Sequence, residues 1–189
     1  MSRSALTLTV FCAAAFTTGC SMLKPIEDPT AYYRLTAEHF EMAGPAELAD
    51  ISVKTLVSLQ MPADVHSNKL ALVHGSNEVA ILDEARWMEP FENAFERSLD
   101  LNVRALLGAS APNTLKIKVE VLTFDTRGGE VVCRFSYNLM EGRKDLDGRV
   151  FEVSQTFDVD APLGDLVGAI DGVSAKMAEL LVAVPGFAQ

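Results

Sequence analysis

The stretch that decides the fold is Leu115-Lys116-Ile117-Lys118-Val119-Glu120-Val121, in which apolar and charged residues alternate without a break. Residues 131–139 and 151–159 repeat the alternation. Successive side chains of a strand point to opposite faces, so this pattern predicts a sheet that is apolar on one face and polar on the other. Such sheets are usually antiparallel, and the glycine-containing stretches 127–129 and 142–148 are predicted to be the hairpin turns.

Two amphipathic helices are predicted to cover the apolar face of this sheet. The first spans residues 83–107 and stops at Gly108, and its regular part is expected to begin near Glu89 because Pro90 suits a first helical turn. The second spans about Leu163 to Val184. Apolar residues recur every three or four positions in both, as expected for one buried stripe on each helix. The stripes are Phe91, Phe95, Leu99, Val103, Leu106 and Leu107, then Leu166, Ile170, Val173, Met177, Leu180 and Leu181.

Shorter strands are predicted upstream of the first helix. Together with the C-terminal strands they give an α+β fold, a two-layer sandwich in which two helices pack on one face of a mainly antiparallel or mixed sheet. We expect one domain over residues 31–189, a size that can bury its own core. The four upstream strands are predicted at Tyr32–Leu35, Ile51–Leu59, Leu70–His74 and Val79–Leu82.

The first twenty residues have the layout of a targeting segment. Arg3 precedes a twelve-residue apolar run, Ala5 to Phe16, which is too short to span a bilayer but suits a signal peptide. Small residues then lead to Cys20, so the segment resembles a bacterial lipobox, with Thr17 where Leu is usual. That resemblance implies a leader over 1–19, a diacylglycerol thioether and an acyl (palmitate) chain on Cys20, and a tether over 20–30. An ordinary secretory signal with a coincidental cysteine is the alternative.

Composition narrows the class of protein further. The chain has 16 Lys and Arg against 26 Asp and Glu, a formal net charge of −10, and loss of the leader with Arg3 makes it about −11. An acidic chain lacks the basic face that nucleic-acid binding needs, so no nucleic-acid partner is expected. It is also unsuited to docking on anionic lipids by charge alone.

No constellation of residues predicts catalysis, a cofactor or a metal. His39, His66 and His74 lack metal-ligand spacing, and no nucleophile elbow or phosphate loop is present. Cys133 is the only cysteine outside the leader and the lipobox, and it falls on an apolar strand face, so we expect a buried thiol. A non-enzymatic binding or assembly role is therefore favoured.

A family resemblance rests on spaced residues. Cys20 and its Pro-containing tether are followed by Pro29-Thr30-Ala31-Tyr32-Tyr33-Arg34-Leu35, by a strand ending at Met61-Pro62, and by Ala85-Arg86-Trp87-Met88-Glu89-Pro90-Phe91. In this pattern the chain resembles the ABC-type transport auxiliary lipoproteins, the group that includes PqiC/YmbA-like lipoproteins. The Arg-Trp-x-x-Pro element is the most specific part. The residues singled out as a partner contact or a structural anchor are Tyr33, Arg86, Trp87 and Pro90.

The resemblance implies a lipoprotein anchored by Cys20 acyl chains in the outer membrane of a Gram-negative bacterium, facing the periplasm. It implies work beside an ABC permease and ATPase and an MCE-domain protein that carry phospholipid or a similar molecule across the envelope. A homo-oligomer is compatible with such a role. Two alternatives stay open: an envelope lipoprotein that regulates peptidoglycan or envelope assembly through protein contacts, and a carrier that holds lipid in its own cavity.

Overall fold

A computed structural model describes residues 28–42, 57–62, 65, 68–74, 78–108, 115–141 and 144–184. In these ranges it contains seven strands and three helices, and the α+β class predicted from the sequence is confirmed. Among the described residues, no helix has both the length and the apolar character to cross a membrane. In chain order the elements are β1 (Ala31–Tyr33), α1 (Glu38–Met42), β2 (Val57–Gln60), β3 (Lys69–His74), β4 (Glu78–Trp87), α2 (Phe91–Leu107), β5 (Leu115–Arg127), β6 (Glu130–Glu141), β7 (Lys144–Thr156) and α3 (Leu163–Val182).

The strands of the described ranges form two sheets where the sequence suggested one. A four-stranded sheet has the order β2-β5-β6-β7, and a three-stranded sheet has the order β1-β4-β3. Neighbours are antiparallel except for β2 with β5 and β1 with β4, which are parallel. The alternation of β5 and β6 is seen directly, because Ile117, Val119, Val131, Cys133 and Phe135 are all fully buried.

Helices α2 and α3 supply the other layer of the core. The predicted stripe of α2 is buried through Phe91, Phe95, Leu99 and Val103, whereas Leu106 is 38% exposed and does not belong to it. The aromatic side chains interlock with the sheet, and Phe124 of β5 meets Phe95 edge-on with ring centroids 5.6 Å apart. In the predicted stripe of α3, Leu180 is only partly buried, and the other members are buried: Leu166, Ile170, Val173, Met177 and Leu181.

Helix α2 also covers the free edge of β2. The Val57 amide donates to Asp100 Oδ1 at 3.0 Å, and the Leu59 amide donates to Glu96 Oε2 at 3.2 Å. A four-residue edge strand thus has outward amides satisfied by carboxylates of the helix rather than by another chain. The predicted strand Ile51–Leu59 is seen as Val57–Gln60, and residues 51–56 lie outside the described residues.

The predicted start of the first helix was wrong. Residues 83–87 are the end of β4, and α2 begins at Phe91. Parallel pairing of Tyr33 with Trp87 holds this segment extended and buries Ala85 and Trp87 on one face. Pro90 has a ψ of 134°, so it precedes the helix as its cap instead of occupying the first turn.

Three other predicted boundaries also shift. The turn predicted at 142–148 is shorter, because β7 already begins at Lys144 and includes Gly148. Glycine is needed there, since a Cβ would lie 2.8 Å from the Tyr137 carbonyl oxygen. The last strand ends at Thr156 rather than 159, and the last helix ends at Val182 rather than Val184. The turn at Gly128 and Gly129 is confirmed, with φ values of 61° and 74° that favour glycine.

Truncation of Trp87 tests its place in the core. Trp87 is 4% exposed and its ring centroid lies 5.1 Å from that of Phe91. We expect Trp87→Ala to lower the free energy of unfolding by about 3–5 kcal/mol, because a large cavity forms between β4 and α2. Urea unfolding followed by circular dichroism measures the change. The matched control is Met88→Ala, since Met88 is 67% exposed and its truncation should stay within about 0.5 kcal/mol. Equal effects of the two substitutions would contradict this placement.

Candidate functional site

The segment Arg86–Pro90 divides its side chains between the core and the surface. Trp87 points into the core, and Tyr33, its register partner on β1, is half-buried beside it. Arg86 lies on the opposite face, where Nη1 donates to the carbonyl oxygens of Leu82 and Ala85, both at 3.3 Å. Pro90 is exposed. The structure therefore gives Trp87 the position of an anchor and leaves Arg86 and Pro90 at the surface, while their contact with a partner stays a prediction.

A groove of about 460 Å³ lies beside this segment. Its floor and walls come from the chain after β1, from α1, from the β4–α2 connection and from α2. Arg97 spans it: Nη2 lies 2.7 Å from Glu89 Oε1 and donates to the Leu35 carbonyl oxygen at 3.3 Å. The lining residues are Arg34, Leu35, Thr36, Phe40, Met88, Glu89, Arg97 and Leu101.

One wall of the groove is held by the buried carboxylate of Asp171 on α3. It accepts the Thr36 amide at 2.9 and 3.1 Å and the Thr36 hydroxyl at 2.7 Å. The next residue, Ala37, is fully buried and has a φ of 67°, a conformation that costs a non-glycine residue energy. Charge-assisted hydrogen bonds from Thr36 stabilise this turn.

The polar contacts continue between the two helices. Ser98 Oγ on α2 lies 3.0 Å from Ser174 Oγ on α3 and donates to Asp171 at 3.4 Å. Asn102 donates to Ser174 at 3.3 Å and accepts the backbone amide of His39 at 2.8 Å. We call Thr36, Ser98, Asn102, Asp171 and Ser174 the polar cluster. It joins the chain after β1 to both long helices, and sequence periodicity gives no signal for it because these residues interrupt the apolar stripes.

The histidine and cysteine predictions have different outcomes. Histidines without metal-ligand spacing are expected at the surface or in turns, and this expectation is wrong for His39, which lies in α1 with a side chain only 16% exposed. Its Nε2 lies 3.1 Å from Glu179 Oε1 without the alignment of a hydrogen bond. Cys133 is fully buried as predicted, and burial raises the pKa of its thiol to about 12. No three His, Cys, Asp or Glu side chains come together as a metal site within the described ranges. His66 and Cys20 lie outside the described residues.

A second, smaller cleft lies on the polar face of the four-stranded sheet. Its volume is about 220 Å³, and its lining is mostly hydrophilic. It sits where β6 and β7 shift register, between Tyr137 and Leu139. The lining residues are Lys118, Glu120, Ser136, Tyr137, Asn138, Gly148, Arg149 and Val150. No helix of the described chain covers this face, so it is open to solvent or to a partner.

Comparison with known proteins finds a family that matches this chain. A family described as the ABC-type transport auxiliary lipoprotein component matches residues 33–181, from the end of β1 to the end of α3. No curated protein matches the chain.

Solved structures show the same fold. A crystal structure of an uncharacterized protein is 14% identical, with a TM-score of 0.60 over 80% of this chain and 95% of that one. A DUF330 protein of Xanthomonas campestris is also 14% identical, with a TM-score of 0.56 over 67% of this chain and 78% of its own.

Neutralising Asp171 tests the polar cluster. We expect Asp171→Asn to lower the free energy of unfolding by about 1.5–3 kcal/mol, because the strained turn at Ala37 loses its charged acceptor while the side-chain volume is kept. Thermal or urea unfolding measures the difference. Asp160→Asn is the control, because Asp160 is exposed and its neutralisation should cost less than about 0.5 kcal/mol. If the polar cluster does not stabilise the fold, Asp171→Asn and Asp160→Asn will lower the free energy of unfolding by the same small amount.

The thiol of Cys133 should be inert in the folded protein. With a pKa of about 12, roughly 10⁻⁴ of it is ionised at pH 8, and the thiolate is the reactive form. We expect no reaction with Ellman's reagent at pH 8 in buffer and one thiol per chain for the mature lipoprotein in guanidinium chloride. Rapid labelling without denaturant would show that this strand face is open.

Proposed function

The chain belongs to the family of ABC-type transport auxiliary lipoprotein components, and on that premise we propose a specific role. It is an outer-membrane lipoprotein that faces the periplasm and docks components of an ABC/MCE-type system, which moves phospholipid between membranes. The observation that carries the proposal is the extent of the family match. It begins in β1 and ends in α3, so the whole described fold, with both sheets and both long helices, corresponds to the auxiliary component.

The proposed role is non-enzymatic. A docking component needs stable surfaces rather than reactive groups, and the polar groups of the groove already bind one another: Arg97 pairs with Glu89, and Thr36 with Asp171. The one described thiol is buried and protonated. These features support a scaffold that holds partners in place, while the work of transport is done by the ATPase and the permease.

The proposed anchor is Cys20 with its acyl chains. A diacylglycerol plus an N-acyl chain exceeds the two anchoring signals that stable membrane attachment requires. Ser21 follows Cys20, and the absence of Asp at that position favours an outer-membrane address by the resemblance to lipoprotein sorting signals. An acidic domain of this kind depends on lipid for attachment, since its charge does not favour anionic headgroups.

Cross-linking in intact cells tests the partners. We expect periplasmic cross-linking of the tagged lipoprotein to capture an MCE-domain protein or an ABC component, identified by mass spectrometry. A Cys20→Ser variant is the matched control: it should lose the mass of the acyl chains and give a weaker yield of the same partners, because the domain is no longer held at the membrane.

Two results would contradict the proposal. The first is recovery of peptidoglycan-synthesis proteins with no MCE or ABC component, which would favour the envelope-assembly alternative. The second is a mature N-terminus that begins elsewhere than Cys20 or carries no lipid, which would remove the anchor. Phospholipid that stays bound to the delipidated domain would instead favour the carrier alternative.

A further inference from the structure

The two long helices begin at the same end of the molecule. Ser98 of α2 contacts Asp171 and Ser174 of α3, and Asn102, one turn further along α2, also contacts Ser174. Positions that come later in α2 therefore contact positions that come later in α3, so the two helices run parallel. At 1.5 Å per residue, the first residues of α2 and α3 lie at about the same level.

The most exposed large apolar side chains of the described residues gather at this end. They are Met88 at 67%, Val159 at 64% and Tyr32 at 61% exposure. Met88 lies just before α2, and Val159 lies in the connection to α3. Tyr32 is on β1 beside Arg86, two residues before Met88 on β4. We call Tyr32, Met88 and Val159 the apolar end. They come from three separate segments: β1, the connection before α2 and the connection before α3.

The chain enters the fold at the same end. The Thr30 amide and hydroxyl donate to Asp28 Oδ1 at 3.0 and 2.6 Å, and these hydrogen bonds, with attraction from Arg86, hold the pKa of Asp28 below its ordinary value. Asp28 lies three residues before β1, and β1 pairs with the end of β4 just before α2. Seven residues separate Asp28 from Cys20. Even fully extended, this stretch spans no more than about 30 Å, which is less than the diameter of the domain.

Charge at this end does not favour an anionic surface. Near β1, the cations Arg34, Lys69 and Arg86 are offset by the exposed carboxylates Asp28, Asp83 and Glu84. Beside Val159, Arg127 pairs with Asp125, and Asp158 and Asp160 are exposed. A neutral, zwitterionic phospholipid surface fits this balance, because apolar tips can enter the headgroup layer while charges of both signs stay hydrated.

We propose that the apolar end rests on the phospholipid surface of the membrane in which Cys20 is anchored. The inference depends on the lipid anchor of the proposed function. Three side chains alone would bind a vesicle weakly, but a tether of this length makes the contact intramolecular and raises the effective concentration of lipid at the apolar end. The domain then stands with the C-terminal ends of α2 and α3 pointing away from the bilayer, toward the periplasm.

Fluorescence quenching on vesicles tests this orientation. The mature lipoprotein is reconstituted in phosphatidylcholine vesicles that contain nitroxide-headgroup lipid. An environment-sensitive fluorophore is attached to one introduced cysteine at a time: Tyr32→Cys, Met88→Cys or Val159→Cys. Buried Cys133 does not compete for the label. The control is Ala183→Cys, because Ala183 is exposed at the far end of α3, about 30 Å along the helix from its first residue.

We expect strong quenching and a blue shift at the three positions of the apolar end and little change at Ala183, at both low and high salt. Equal quenching at all four positions, or none at the first three, overturns the inference. A blue shift that needs no vesicle and grows with protein concentration also overturns it, in favour of contact between copies of the chain.

The experiment separates this inference from the proposed function. A protein that fails to float with vesicles lacks the anchor, which overturns both. If the apolar end is quenched as expected but cross-linking recovers no MCE or ABC component, the orientation stands and the proposed transport role fails.

Discussion

The buried carboxylate of Asp171 is the interaction on which the rest of the structure depends. It sits on α3, binds Thr36 from the chain after β1, and contacts Ser98 of α2, so one side chain ties three separate parts of the sequence together. A buried charge is costly unless it is fully hydrogen-bonded, and here the backbone amide and hydroxyl of Thr36 provide the bonds. The same contacts fix the relative level of the two helices and hold the strained turn at Ala37. The three-stranded sheet is placed beside the helices through this turn and through the packing of Trp87 on Phe91.

The Arg-Trp-x-x-Pro element of this chain, Arg86 to Pro90, has a physical explanation in the fold. Trp87 ends β4 inside the core, and Pro90 precedes α2 as its N-cap residue, without a side-chain hydrogen bond to the helix. The residues between them, Met88 and Glu89, are pushed to the surface, where one stays exposed and the other pairs with Arg97. The buried side chain of Trp87 is therefore followed directly by the exposed apolar side chain of Met88, so the element buries one in the core and leaves the other exposed beside it.

Under the proposed function, a docking component held by lipid presents different surfaces to the membrane and to its partners. The apolar end and the start of β1 share one end of the helices, while the polar face of the four-stranded sheet, with the cleft at Ser136 and Val150, is left uncovered by the described chain. On the proposed orientation, the first surface meets the bilayer and the second remains available in the periplasm. Attachment through acyl chains rather than through basic residues is consistent with the net charge of −10.

The sequence by itself determined the α+β class, the three long strands, the buried faces of α2 and α3 and the burial of Cys133. It could do so because apolar residues recur with period two in strands and period 3.6 in helices, which indicates the face of each element that is buried. It also singled out the stretch from Arg86 to Pro90. Only the tertiary structure decided that residues 83–87 are a strand, since residues 85–87 pair with β1, which lies 54 residues earlier in the chain, and this pairing overrides local helix propensity. The polar cluster, the groove and the gathering of Tyr32, Met88 and Val159 were likewise invisible in the sequence. Each is made of residues far apart in the chain, and periodicity records only which face of its own element a residue occupies, not which residue of another element lies against it.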